Sequence, residues 1–355
     1  MSTTPESEAR FLADAVRSAA SARRKLRIVG SGSKQFYPAA IEGDVLRVAG
    51  YGGIVDYDPA ELVLTARAGT PLAEVEQVLA AQGQMLAFEP PQFGGGGTLG
   101  GCVATGWSGP RRAYAGAVRD FVIGVQIVDG QGEHLRFGGR VIKNVAGYDV
   151  SRLMVGAHGA LGVLLEISLR VVPGKHEITR QLSLDEASAI ERVNRWAARG
   201  LPLSGSCHHA GILSVRLAGA PAVLDRVGKE IGGELVHDAG QYWRSIRDQT
   251  APFFAKAREL WRASVPPTAQ RLNLSGEQLI EWGGALRWIA TDLDAPTLRA
   301  KVEARGGHLL LFRSSRAESA NQRPALSPGL AKLHVELKRV FDPYAVLNCS
   351  PTLET

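Results

Sequence analysis

The sequence predicts an α+β fold of two unlike units. Three observations carry that reading. Short β-branched runs and segments of helical period share the chain throughout. Glycine-rich passages stop at Pro173-Gly174. Tryptophan is concentrated beyond that point, where Trp196, Trp243, Trp261, Trp282 and Trp288 leave only Trp107 upstream. At 355 residues the chain has length for two cores.

The first unit reads as follows. Phe11, Leu12, Ala15, Val16 and Ala19 fall on one face of a helix near Glu6–Arg23. Leu26–Val29 is a short strand that runs into the small-residue loop Gly30-Ser31-Gly32-Ser33-Lys34. That loop is equally a plain turn or a phosphate cradle, and it lacks the spacing of a Walker loop. Strands follow at Leu46–Ala49, Ile54–Tyr57 and Leu62–Ala66. Thr70-Pro71 reads as the cap and first residue of a helix whose apolar face is Leu72, Val75, Val78 and Leu79.

Six glycines then stand between Gly94 and Gly101. Such a run is unsuited to a helix or strand interior. Its amides can instead converge on phosphate oxygens. A flexible linker would be polar and serine-rich, whereas apolar and β-branched residues flank this run. Phe121–Val128 is a β-branched strand, turned at Asp129-Gly130 into a return strand near Glu133–Phe137. A short helix at Val150–Val155, a glycine passage at Gly156–Gly162 and an alternating strand at Val163–Val172 complete the unit.

Beyond Pro173 the pattern gives a helix at Leu184–Ala198, strands at Leu203–His208 and Ile212–Leu217, and a helix at Ala222–Ile231. The passages Trp261–Pro267 and Glu281–Trp288 mix tryptophan, arginine and glycine, a composition common in interface cores. They are candidates for a partner surface. A last helix covers Gly329–Val340.

Composition excludes several classes. The balance of 45% apolar and 21% charged residues is that of a globular protein. No stretch approaches the roughly 18 apolar residues of a membrane span. The polar start, Met1–Arg10, lacks the core of a signal peptide. Cys102, Cys207 and Cys349 have no metal-ligand or iron–sulfur spacing, and a reducing cytoplasm is the default setting. The net charge of +6 is scattered, which argues against nucleic acid. Cys207-His208-His209 invites a metal, but neighbours on a strand face opposite ways, and no metal is expected.

The order of motifs is specific. The Gly-Ser-Gly-Ser loop comes first, then Asp58-Pro59 and Thr65–Thr70, then Gly96-Gly97-Thr98-Leu99-Gly100-Gly101, Asn144–Asp149 and Gly159–Val163. This order resembles the FAD-binding domain of the p-cresol methylhydroxylase and vanillyl-alcohol oxidase superfamily. Phe88–Pro91, Gly106–Arg112, Lys143–Asp149 and Glu281–Trp288 further resemble the small FAD-binding subunit of bacterial glycolate oxidases.

The resemblance implies a two-subdomain FAD-binding domain over residues 1–173, a smaller α+β cap over 174–328, and a helix and tail, 329–355, returning to the first domain. FAD would lie between the subdomains. Its pyrophosphate would meet Gly30, Ser31, Gly32, Ser33 and Lys34 on one side, and Thr98, Leu99, Gly100, Gly101, Ala104 and Thr105 on the other. Gly162 and Val163 resemble the segment beside the flavin ring. Pro90, Arg111, Asp120 and Asn144 are further cofactor-binding candidates, with structural caps or ion pairs as the alternative for the last three. Cys102 is poorly placed for a covalent tether and no histidine stands in Gly30–Gln35, so noncovalent FAD is expected.

The resemblance further implies a larger FAD-binding glycolate oxidase subunit and an iron–sulfur subunit as partners, a small 2-hydroxy acid as substrate, and contact with a membrane only through those partners. Two readings stand beside it. A stand-alone 2-hydroxy-acid oxidoreductase would need its own base and carboxylate clamp, for which His208, Arg262 and Arg287 are candidates. A non-catalytic FAD scaffold would need neither. Asp342–Asn348 matches the family's carboxyl-terminal pattern, but Cys349-Ser350-Pro351 follows where the family has Pro-Gly-Arg. The histidine-rich passage of the large catalytic subunit is missing.

Overall fold

A computed structural model describes residues 4–36, 42–139, 148–315 and 326–348. The first unit opens with α1 (Pro5–Ala22), capped by the Thr4 hydroxyl, and passes to β1 (Leu26–Val29) and β2 (Asp44–Arg47). β3 (Ile54–Asp58), β4 (Val63–Arg67), α2 (Leu72–Ala80), β5 (Gln84–Met85), α3 (Leu99–Thr105) and α4 (Arg112–Ala115) follow. Then come β6 (Val122–Val128), β7 (His134–Gly138), α5 (Val150–Leu153), β8 (Val163–Arg170) and β9 (Val172–Pro173).

Five of these strands form an antiparallel sheet in the order β3-β4-β8-β6-β7, while β1 and β2 pair in parallel beside it. Leu347, near the far end of the chain, makes a parallel bridge to Leu26 on β1. One continuous core runs from Leu12 on α1 through Leu64, Val75, Ile127 and Leu165 to Phe341, Val346 and Leu347.

The second unit is built on one eight-stranded antiparallel sheet. Its strands are β10 (His176–Ser183), β11 (Leu203–His209), β12 (Ile212–Gly219), β13 (Glu234–Val236), β14 (Glu259–Ser264), β15 (Glu277–Glu281), β16 (Leu286–Ala290) and β17 (His308–Ser314). Their spatial order is β13-β10-β12-β11-β15-β16-β14-β17. The connecting helices are α6 (Glu186–Ala198), α7 (Pro221–Ile231), α8 (Gly240–Arg247), α9 (Pro252–Lys256) and α10 (Ala295–Glu303). A last helix, α11 (Pro328–Phe341), belongs to the first unit's core through Phe341.

Pairing across the sheet decides which side chains share a face. His208 and Arg287 both stand opposite Ile280, whereas Cys207 and Leu286 stand opposite Glu281. Arg262, Trp288 and Leu279 line up with the second set, two residues away along each strand. One face therefore carries Glu281, Arg262 and Trp288, and the other carries His208 and Arg287.

The structure departs from three sequence expectations. Thr70 does not cap α2: its hydroxyl accepts from the Gly53 amide and donates to the Arg67 carbonyl, and Pro71 takes the cap position. Leu99, Gly100 and Gly101 form the first turn of α3, although glycine disfavours helix, because the Thr98 hydroxyl caps it and β4 lies against it. The passages Trp261–Pro267 and Glu281–Trp288 do not form an outer surface. Trp261, Trp282, Arg287 and Trp288 are all buried.

Candidate functional site

A groove opens where β1 ends. The β1 amides of Leu26 and Ile28 are taken by the Val346 carbonyl and the Asn348 side chain. Beyond them the chain leaves the sheet. Among the described residues, the amides of Gly30, Ser31, Gly32, Ser33 and Lys34 have no acceptor. Gly32 holds φ +81°, a conformation that side chains rarely adopt, and this turns the loop over the groove. Successive amides left free in such a turn can converge on an anion.

The opposite wall is α3. Its first turn is fully committed within the protein. Leu99 donates to the Thr70 carbonyl, Gly100 to the Ala68 carbonyl at 2.7 Å, Gly101 to the Thr98 hydroxyl and Cys102 to the Thr98 carbonyl. Gly100 is required by packing: a Cβ there would stand 2.7 Å from the Ala68 Cβ. Gly101 faces the groove, and its Cβ would meet Thr98 Oγ1 at 3.1 Å and Lys34 Nζ at 3.8 Å. Thr98, Gly100, Gly101, Ala104, Thr105 and Gly162 all line the groove, as do Gly30 to Lys34.

Other predicted positions lie elsewhere. Leu99 and Val163 turn their side chains fully into the core. Pro90 is buried outside the groove lining. Arg111 pairs with Glu177 and Glu89 where the two units meet. Asp120 accepts from the Ala117 amide as a turn cap. Asn144 lies outside the described residues.

Among the wall residues that sequence reasoning missed are His158 and Asn348. Asn348 Oδ1 accepts from the Ile28 amide at 2.6 Å, and its Nδ2 donates to the His158 carbonyl at 2.6 Å. It fastens both sides of the groove at once. The Asp342–Asn348 pattern was the available signal. Lys338, buried with Asp342, donates to Asp342 Oδ2 and to the Ala160 and Leu347 carbonyls, which holds this segment in place.

Electrostatics follow burial. Lys34 has no acidic partner among the described residues, and burial lowers its pKa from the usual lysine value. A half-buried cation beside free amides favours an anionic ligand. Cys102 is fully buried and its thiol is pushed up to about 12, so it is no nucleophile at neutral pH.

The groove adjoins a cleft between the two units, and Thr105 and His158 line both. The first unit contributes Trp107, Arg112 and Arg119, and the second sheet contributes Arg262, Glu281, Trp282 and Trp288. Phe36, just past the glycine–serine loop, packs on Phe312 of β17 with ring centres 5.5 Å apart. Trp282 holds φ +55°, a strained value for a bulky residue. Its indole donates to the Gly109 carbonyl at 3.0 Å, and the guanidinium groups of Arg112 and Arg262 lie 4.5 and 5.4 Å from its ring.

Of the predicted catalytic residues, only Arg262 reaches this cleft. His208 is on the other face of the sheet, with Nε2 2.8 Å from the Leu184 carbonyl. Arg287 is completely buried there and is bonded to Glu186 and to the Gly284 and Ala269 carbonyls. Glu281, which the sequence offered only inside a tryptophan-rich passage, does reach the cleft and is 4% exposed. Trp288 Nε1 donates to its Oε1 at 2.7 Å. Burial pushes its carboxyl up to about 7, aided by the negative charge of Glu89 and opposed by the Trp288 hydrogen bond and by Arg262 and Arg216.

Comparison with known proteins places this geometry. Residues 3–138 match the FAD binding domain family. The solved structure of alkyldihydroxyacetonephosphate synthase superposes with a TM-score of 0.67 at 13% identity, over 95% of this chain and 74% of that one. The likeness is one of fold, and the fold is the FAD-binding arrangement of p-cresol methylhydroxylase type that the sequence predicts.

Sequence relatives lie nearer. D-2-hydroxyglutarate dehydrogenase of Xanthomonas citri pv. viticola is 37% identical over 119 residues, 33% of this chain and 25% of that protein. The glycolate oxidase subunit GlcD of Bacillus subtilis is 34% identical over 121 residues, 34% of this chain and again 25% of the relative. The glycolate oxidase subunit GlcE of Escherichia coli K12 is 45% identical over 340 residues, 95% of each chain. Matching that subunit along almost its whole length, the protein belongs to the GlcE family of glycolate oxidase subunits.

Proposed function

We propose that the chain is the FAD-bearing subunit of a complex that oxidises glycolate, or a similar small 2-hydroxy acid, to the 2-oxo acid. The observation that carries this reading is a groove lined by free amides and Lys34 that shares two wall residues, Thr105 and His158, with a cleft lined by arginine.

The residues present fit FAD. The free amides of Gly30 to Lys34 and the Lys34 ammonium suit a pyrophosphate. Gly101, Ala104, Gly159 and Gly162 keep the walls free of bulk. The buried, neutral Cys102 thiol supports noncovalent binding. When bound, FAD supplies a two-electron acceptor, and the protein's share is to hold the substrate and move a proton.

Electrons must then leave the flavin. The chain has no iron–sulfur cysteine spacing, so an iron–sulfur subunit and a larger FAD-binding subunit are the proposed partners. No helix among the described residues is long and apolar enough to cross a membrane. We place the complex in the cytoplasm, reaching a membrane surface only through those partners. The units 1–173 and 174–328, with 329–355 returning to the first, are the proposed domains.

Purified protein should be yellow and should release its flavin on acid precipitation. Anaerobic glycolate should bleach the flavin absorbance of the complex. A colourless, folded protein that takes up no FAD overturns the cofactor assignment. A yellow complex untouched by glycolate and D-lactate overturns the substrate class.

A further inference from the structure

The cleft holds one feature that FAD binding leaves unexplained. Glu281 is a buried carboxylate on the cleft face of β15. Its carboxylate accepts a hydrogen bond from the Trp288 indole at Oε1, and the residue lines the cleft while only 4% exposed. Withdrawing a carboxylate from water in this way is costly unless a group in the cleft meets it. Arginines 112, 119 and 262 line the same cleft, so its net character is cationic despite Glu281.

We propose that Glu281 accepts the hydroxyl proton of a small 2-hydroxy carboxylate bound in this cleft, and that Arg262 holds the carboxylate of that molecule. The inference rests on the reading of the chain as part of a 2-hydroxy-acid oxidoreductase, and adds to it the acid–base residue.

The step balances. The substrate O–H bond breaks and its proton passes to Oε2 of Glu281. The C2 hydrogen would leave with its electron pair as the C2–O double bond forms, and bound FAD would supply the two-electron acceptor this requires. The substrate loses two electrons and two hydrogens, one retained on Glu281 until solvent removes it. A carboxylate suits this task when its affinity for protons is poised near neutrality. The surroundings supply that poise: desolvation and Glu89 of the first unit raise it, and the Trp288 indole, Arg262 of β14 and Arg216 of β12 oppose them. Cys207 of β11, Tyr242 of α8 and Tyr114 of α4 also face Glu281, and all three stay neutral because burial raises their own values.

The test uses FAD-loaded wild type, Glu281→Gln, Trp288→Phe and, as a control, Glu277→Gln at the exposed start of the same strand. Three quantities are read between pH 5 and 9. One is the infrared carboxyl band that differs between wild type and Glu281→Gln. Another is quenching of cleft tryptophan fluorescence by glycolate. The third is the rate of anaerobic flavin reduction by glycolate.

The wild-type band should titrate near pH 7, and the reduction rate should climb about tenfold per pH unit below that midpoint and level off above it. Glu281→Gln should bind glycolate within about fivefold of wild type, reduce at least ~100-fold more slowly and lose the climb. Glu277→Gln should match wild type. Trp288→Phe removes the hydrogen bond that favours the anion, so the infrared and rate midpoints should rise together. That comparison still decides the matter if Glu281→Gln fails to fold.

A Glu281→Gln rate within threefold of wild type, or midpoints that move independently, overturns the proposal and leaves the oxidoreductase reading intact. Quenching by glycolate without reduction overturns the proton transfer and keeps the carboxylate site. Neither quenching nor reduction in wild type overturns the oxidoreductase reading, and the role of Glu281 falls with it.

Discussion

Glu281 and Arg287 stand six positions apart in one passage, yet they face opposite sides of one sheet. Sequence reasoning favoured Arg287 and His208 because charge and chemistry are visible in a sequence, while strand register is not. Register turns on pairing between strands far apart in the chain, such as Cys207 with Glu281. Glu281 also carries a prediction that needs neither substrate nor cofactor. Its folded value is raised from 4.5 to about 7, so the fold prefers the protonated form. The associated stability is fully present below about pH 4.5 and is lost as pH rises through 7. Glu281→Gln, uncharged at every pH, should therefore gain on wild type between pH 5 and pH 8. The gain is at most about 3 kcal/mol, seen as a rise of several degrees in relative Tm. Equal Tm differences at both pH values would show that the carboxyl is not held neutral by the fold.

At the scale of elements, α3 shows what was legible and what was not. The glycine run was plain in the sequence. That the run would turn helical was not, because the partner that stabilises it, Ala68 on the other side of α2, is a tertiary neighbour. The two glycines consequently serve different ends and should fail differently. Gly100→Ala drives a methyl into Ala68 and should lower the stability of the apo-protein by about 1–3 kcal/mol, despite the gain in helix propensity. Gly101→Val points a side chain at Thr98 and Lys34 in the groove. It should leave the apo-protein folded and abolish flavin retention. Denaturant melts of apo-protein, with flavin absorbance per folded chain, separate the two. If Gly100→Ala melts like wild type, the packing account of that glycine is wrong. The same blindness hid most of the second sheet. Strands such as Glu259–Ser264 and Leu286–Ala290 are buried on both faces and interrupted by arginine, so no clean alternation marks them.

At the scale of the molecule, the two units meet across a buried ionic seam. Arg216 of β12 donates to Glu89 Oε2 at 2.7 Å, and Arg111 joins Glu89 to Glu177. The Trp282 indole reaches back to Gly109. A short family-like stretch, Phe88 to Arg112, thus supplies one side of the seam, and resemblance rather than periodicity drew attention to it. The groove has a dependence of another kind. Strand β1 carries its parallel neighbour Leu347 and its cap Asn348 from the opposite end of the chain. During synthesis, at roughly 5–20 residues per second, the amino-terminal half emerges long before those residues exist. The ribosome must add some 300 more residues after β1 before the loop that follows it is pinned. A chain stopped before Asp342 should therefore emerge colourless, with its flavin content, against full-length protein, as the measure. Retained flavin in the shortened chain would show that the groove closes without that segment. Flavin loading would in this sense be a late event in the life of each molecule, and an unfinished chain would not compete for the cofactor.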